Sequence, residues 1–150
     1  MTKIRYDMPC NLAQTLNLIG DKWTMLILFN ILHGLMTYKE LQDKLTNIPT
    51  NLLARRLKEL VSDEFLSLEM YQSNPPRYNY LPTEKTKELK SIFYAFAIWG
   101  EKNLNNESCF WNIVNKNGHK IEFSLIDTVT NEKINTDDLV STRLNKEYLE

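Results

Sequence analysis

The sequence predicts an α+β fold, mostly α, and three observations carry that expectation. Before residue 105, apolar residues recur at 3- and 4-residue spacing in several stretches, the mark of helices with one buried face. One stretch, Phe65 to Tyr71, alternates instead, and a proline-bearing turn and a short return run to Leu81 follow it. From residue 105 onward, short apolar runs and turn signals replace the helical period.

The chain has 150 residues, enough for one domain with a real core or a small domain with an appendage. At 43% hydrophobic and 25% charged it has the composition of an ordinary folded protein. No apolar run approaches the ~18 residues of a membrane span, and the opening MTKIRYDMPC lacks the apolar centre of a signal peptide. No membrane is expected, and the cytoplasm is the expected compartment. Two cysteines, Cys10 and Cys109, make no disulfide framework; in a reducing compartment both should be free thiols. Net charge is −1, but residues 1–104 carry +2 and residues 105–150 carry −3. A basic front permits nucleic-acid binding without requiring it.

Residues 1–10 read as an arm. Asn11 can cap a first helix whose apolar stripe is Leu12, Leu16 and Ile19, with Leu18 alongside. Gly20-Asp21 interrupts it. The second helix, about Lys22 to Leu32, is apolar almost all round and should be the central core helix. Gly34 suits a left-handed cap at its end. Thr37-Tyr38-Lys39-Glu40 is a capping box that starts a third helix to Leu45. A fourth helix opens at Pro49 or Thr50. Two short helices joined by a tight turn, the second more basic, make a helix-turn-helix.

On the fourth helix, Leu53, Leu57 and Leu60 share one side. At 100° per residue, Asn51, Arg55 and Lys58 point the other way, with Arg56 at the margin. Thr50, Asn51, Ala54 and Arg55 lie near the leading end, which suits a major groove: Arg matches guanine, Asn matches adenine, and a small Ala permits close approach. Each alone could be only a solvated surface residue; the arrangement is the signal. Beyond it, Phe65 to Tyr71 and Arg77 to Leu81 should pair as a wing around a loop from Gln72 to Pro76. Arg77, beside that loop, could reach a minor groove or a phosphate, or pair with Glu69 across the hairpin.

A long helix is expected from about Glu84 to Leu104, with Leu89, Ile92, Phe93, Phe96 and Trp99 on an aromatic-rich face. It could fold back over the monomer. We favour the same helix, or the first helix with Leu12 and Leu16, of a second copy, because a symmetric DNA reader needs two spaced heads. In the tail, Phe110 to Asn115 and Lys120 to Ile126 read as strands around an Asn117-Gly118 turn. Thr136-Asp137-Asp138 could cap a terminal helix carrying Leu139, Val140 and Leu144.

Catalysis finds little support. His33 and His119 have no companion at metal-ligand spacing, there is no Gly-rich phosphate loop, and Asp137-Asp138 is better read as a cap. No enzyme, cofactor or metal is expected.

Several motifs in order resemble the HxlR family of bacterial winged-helix transcription regulators, relatives of the MarR group. Cys10, Leu12, Thr15-Leu16 and Ile19-Gly20-Asp21-Lys22-Trp23 resemble the family's opening. Tyr38, Leu41, Ile48, Leu52-Leu53 and Leu57-Lys58-Glu59-Leu60 resemble its helix-turn-helix, Pro75-Pro76-Arg77-Tyr78-Asn79-Tyr80 its wing, and Trp99 its closing helix. Pro82 and Thr86 depart from it, standing where the family usually has Leu and Gly. The resemblance covers about residues 8–104, taken as a DNA-binding domain with its dimerisation helix; residues 105–150 form an extension of unassigned role.

The resemblance implies a homodimer on a pseudo-palindromic operator in double-stranded DNA, more often a repressor than an activator. Thr50, Asn51, Ala54 and Arg55 would face the groove, Arg56 and Lys58 the phosphates, and Arg77 would be the wing contact. Lys22 could touch a phosphate or only shield a tryptophan. Several members of the family sense oxidants or electrophiles through a cysteine placed like Cys10, here just before a helix start, where negative charge is favoured. A small buried cysteine is the plainer reading of Cys10. Cys109 could resolve a disulfide with it or face a core. Two alternatives stand beside a thiol-gated regulator: a small-molecule-responsive regulator using the aromatic dimer interface, and a winged helix that binds proteins instead of DNA.

Overall fold

The computed structural model describes residues 6–104 and 112–141. It is a winged helix-turn-helix, mixed α and β. The order is α1 (Asn11–Ile19), α2 (Lys22–Leu32), α3 (Tyr38–Lys44), α4 (Thr50–Ser62), β1 (Leu66–Ser73), β2 (Pro76–Pro82) and α5 (Glu84–Asn103). Two short strands, β3 (Leu125–Ile126) and β4 (Lys133–Ile134), and a 3-10 turn, Thr136–Asp138, follow. The chain divides into two compact units, Met1–Tyr94 and Ala95–Glu150.

The first unit is built around α2. Ile27, Leu28 and Ile31 of α2 meet Leu41 and Leu45, Ile48, Leu53, Leu57 and Leu60 of α4, Phe65 and Leu66 at the wing's root, and Phe93 of α5. Each such residue gains about 1.5–3 kcal/mol from leaving water. The chain breaks between helices where the backbone demands it. At Gly20 a Cβ would stand 2.5 Å from the Leu16 carbonyl oxygen. Gly34, at φ 97°, takes the left-handed turn that closes α2. Asp21 then starts α2 by accepting from the amides of Trp23 and Thr24.

The capping box of α3 is complete. Glu40 N–H donates to the Thr37 hydroxyl, and the Glu40 carboxylate accepts from the Thr37 amide at 2.8 Å and hydroxyl at 2.8 Å. The Thr37 hydroxyl, then the Thr37 amide, with a smaller share from the Met36 amide, hold the Glu40 carboxyl below its ordinary 4.5. A lowered carboxyl stabilises while ionised. Its contribution is whole above the ordinary value and is lost as pH falls through the folded one. Thr37→Ala should therefore cost more at neutral pH than in acid, where that carboxyl is protonated in both states. Urea unfolding at both pH values checks this; an equal loss would refute it.

The wing differs from expectation at its tip. Gln72, Ser73 and Pro76 belong to the strands, so only Asn74-Pro75 turns, and the Gln72 amide braces that turn by donating to both their carbonyls at 3.1 and 3.2 Å. The register pairs Leu66 with Pro82, Leu68 with Tyr80 and Gln72 with Arg77, with a bulge between Met70 and Gln72. Leu66 is buried, but Leu68 and Met70 are exposed, because the hairpin leaves the core after its first residue. The Tyr80 amide donates to the Met36 carbonyl at 2.7 Å and ties the wing to the turn before α3.

The two departures from the family pattern lie at this junction. Thr86 is fully buried, and its hydroxyl donates to the Phe65 carbonyl at 2.6 Å. A hydroxyl that meets a carbonyl is tolerated inside. Pro82 ends β2, where a lost donor costs little.

Other expectations need correction. Cys10, not Asn11, occupies the N-cap of α1, and it makes no side-chain cap bond. In the second unit the expected strand pair around Asn117-Gly118 reduces to one bridge, Val114 to Lys120; Phe110 lies outside the described residues. Lys120 to Ile126 is extended only at Leu125–Ile126, which pairs with Lys133–Ile134 around an Asp127 turn. Amides of Thr130 and Val129 hold that Asp127 carboxyl below its ordinary value. Among the described residues no terminal helix follows Thr136: after one 3-10 turn capped by Asn135, Leu139 and Val140 are exposed and non-helical. Leu144 and Cys109 lie outside the described residues.

Candidate nucleic-acid interface

Helix α4 sorts its residues cleanly. Leu53, Leu57 and Leu60 are buried, while Thr50, Asn51, Ala54, Arg55 and Lys58 are exposed. The start of the helix is fixed from α3: the Tyr38 hydroxyl donates to the Thr50 carbonyl at 3.0 Å. Arg55 keeps 63% of its side chain exposed and touches Glu59 only loosely, at 3.9 Å. Lys58 makes no ion pair among the described residues.

Arg56 does not belong to this face. Its guanidinium reaches Asp21 at 3.2 Å and Glu59 at 2.9 Å, and only 16% of its side chain is exposed. Its Nε is buried without a hydrogen-bond partner. The group braces α4 against the start of α2, so a phosphate would have to compete with two carboxylates already in place. Lys22 is exposed, with its ammonium 5.2 Å from the centroid of the Trp23 ring.

Arg77 is exposed beside the wing's turn. The register sets Glu69 opposite Asn79, and Arg77 makes no ion pair among the described residues. A cleft of about 420 Å³ between the start of α3 and the wing is lined by Arg77, Lys39, Tyr38, Tyr71 and Tyr78, among others. The sequence reading placed Lys39 and these tyrosines only in the α3 capping box and the wing, not beside Arg77. Their signal, cations and hydroxyls within one cleft, needs the register of the wing to be seen.

Two exposed apolar stripes lie outside α4. On α1, Leu12 and Leu16 are exposed. On α5, Ile92, Phe96 and Trp99 are 45%, 59% and 61% exposed, whereas Phe93 is buried at 5% and Leu89 is partly buried. Cys10 is an exposed free thiol at the N-cap of α1. Among the described residues, no group of three His, Cys, Asp or Glu could hold a metal, and no helix is long and apolar enough to cross a membrane.

Residues 18–108 match the family model described as HxlR-like helix-turn-helix. The chain belongs to the HxlR family. Among HxlR relatives, the HTH-type transcriptional regulator BH0655 of Halalkalibacterium halodurans is 36% identical over 105 residues, spanning 69% of this chain and 93% of that one. PA1607, a solved structure described as a transcription factor, superposes with a TM-score of 0.79 at 25% identity, covering 91% of this chain and 96% of that one. The redox regulator HypR in its oxidised form superposes with a TM-score of 0.59 at 29% identity over 64% of this chain and 99% of HypR. The match to PA1607 is longer than residues 1–108, so likeness of fold extends past the HxlR segment. As a family member the chain is a winged-helix transcriptional regulator, not an enzyme.

Proposed function

We propose that the protein is a homodimeric repressor that reads a pseudo-palindromic operator in double-stranded DNA and is gated by its Cys10 thiol. The observation that carries this reading is the face of α4: two cations, an amide, a hydroxyl and a small residue exposed together on a helix whose other side is locked into the core. Thr50, Asn51, Ala54 and Arg55 contact base edges, Lys58 a phosphate, and Arg77 the flanking groove. The exposed stripes of α1 and α5 pair two copies across a two-fold axis, through Leu12, Leu16, Ile92 and Phe96. Such a regulator works in the cytoplasm.

Gating draws on the exposure of Cys10 and on its place at the first turn of α1, one of the pairing helices. A disulfide or adduct there alters the seat of α1 and with it the spacing of the two heads. HypR, described as a redox regulator and known in oxidised and reduced forms, lends the reading support.

The test is anisotropy with DNA flanking the protein's own gene, using reduced and diamide-treated protein and Cys10→Ser under both conditions. Reduced protein should bind specifically, with affinity falling steeply as salt rises. Diamide should weaken binding by wild type and spare Cys10→Ser. Binding indifferent to diamide removes the thiol gate. Absence of specific binding at low salt, both to that DNA and to a random operator library, removes the DNA reading.

A further inference from the structure

The second unit holds a cleft of about 630 Å³, within the roughly 300–1,000 Å³ of small-molecule sites. One wall is the end of α5, with Ile98 and Trp99; the other is Ile113 and Phe123. Trp99 and Phe123 are 61% and 51% exposed, so two aromatic surfaces stand open to solvent. Ile113 and Phe123 lie beyond residue 108, where the family match ends. One wall of the cleft therefore belongs to the HxlR segment and the other lies beyond it.

Its walls are held in place. The Ile113 amide donates to the Glu101 carboxylate at 3.0 Å, and Lys120 is bridged to Val114. The charges that line it are two carboxylates and two ammonium groups, and they are not equally engaged. Glu101 accepts that amide, and Glu122 accepts from Lys133 at 3.1 Å. Lys102 and Lys120 line the cleft with no ion pair among the described residues. The acceptors have donors, and neither cation has an anion among the described residues. An apolar slot edged by two such cations calls for a ligand with a flat apolar body and a negative end.

We propose that this cleft binds a small organic carboxylate, its apolar body against Trp99 and Phe123 and its carboxylate beside Lys102 and Lys120. That such a ligand tunes DNA binding rests on the function proposed above; the binding itself does not.

The test is calorimetric titration of the full chain with benzoate, phenylacetate and octanoate, and with benzamide as the neutral counterpart of benzoate. At least one carboxylate should bind saturably at about 1 mM or below, and benzamide roughly tenfold more weakly than benzoate. Lys102→Ala and Lys120→Ala should each raise Kd by roughly three- to tenfold, and Lys44→Ala, a surface control in the first unit, should leave it unchanged. These positions are exposed, so the variants are expected to fold, and circular dichroism verifies it. Benzamide binding as well as benzoate, equal affinity in the two cleft variants and wild type, or no saturable heat up to about 10 mM from any carboxylate would each overturn the site. Operator binding is measured separately. Protein that takes the carboxylate but no DNA refutes the regulator reading alone, and protein that takes DNA but no carboxylate refutes the cleft alone.

Discussion

Phe93→Ala is expected to lower the unfolding free energy by ~3–5 kcal/mol, whereas Phe96→Ala should leave the monomer within ~0.5 kcal/mol of wild type and weaken subunit association instead. The two phenylalanines are three residues apart on α5 and chemically identical. Phe93 is 5% exposed within the α2-centred core and meets Phe29 edge-on, with centroids 6.2 Å apart and rings at 79°. Nearby, His33 donates from Nδ1 to the Phe29 carbonyl at 2.7 Å, and its Nε2 is hydrogen-bonded to the Tyr94 hydroxyl at 3.0 Å. Truncating Phe93 opens a cavity in a set of contacts that cannot collapse freely. Phe96 is 59% exposed and loses little within one chain. Because association adds to apparent stability, urea unfolding should be run over a range of protein concentrations, beside sedimentation. Equal losses in both variants, independent of concentration, would refute the division of α5 into a core side and a pairing side.

Arg55→Ala and Arg56→Ala are expected to fail in opposite ways. Losing Arg55 should weaken operator binding by roughly ten- to a hundredfold and blur sequence preference, with the fold intact, as befits a mostly exposed side chain. Losing Arg56 should instead destabilise the protein by ~1–3 kcal/mol. It strips the ion-pair partner from Asp21 and a donor from Glu59 in a partly buried setting, where solvent screens part of the loss. The salt dependence separates the roles further. Lys58→Ala should reduce the slope of log affinity against log salt by about one, and Arg56→Ala should not change it. A reduced slope for Arg56→Ala would return that residue to the DNA face.

This pair marks where sequence reading ended. The helical period of α4 was enough to place Leu53, Leu57 and Leu60 inside and Asn51, Arg55 and Lys58 outside, because that partition depends only on 100° per residue. It left Arg56 at the margin, where the outcome depends on Asp21, a residue of another element that no local pattern brings near. The caps and breaks were legible because they are local: Thr37 with Glu40, Gly34, and the limits of α2. The tail was not. Its described strands are two residues long, and its one described helical turn spans Thr136–Asp138, so neither period had room to show. The aromatic face of α5 was legible as a period but not as two environments. Phe93 and Phe96 differ only in what lies opposite them.

The brace at Arg56 has a consequence for how such a protein can change its targets. Within α4, the frame is Leu53, Arg56, Leu57, Glu59 and Leu60, and the exposed alphabet is Thr50, Asn51, Ala54, Arg55 and Lys58. The two sets share no member. A duplicated copy could therefore drift to a new operator by exchanging letters while its scaffold stays under ordinary stabilising selection. An engineer could do the same in a library confined to the exposed five, and most of its members should still fold.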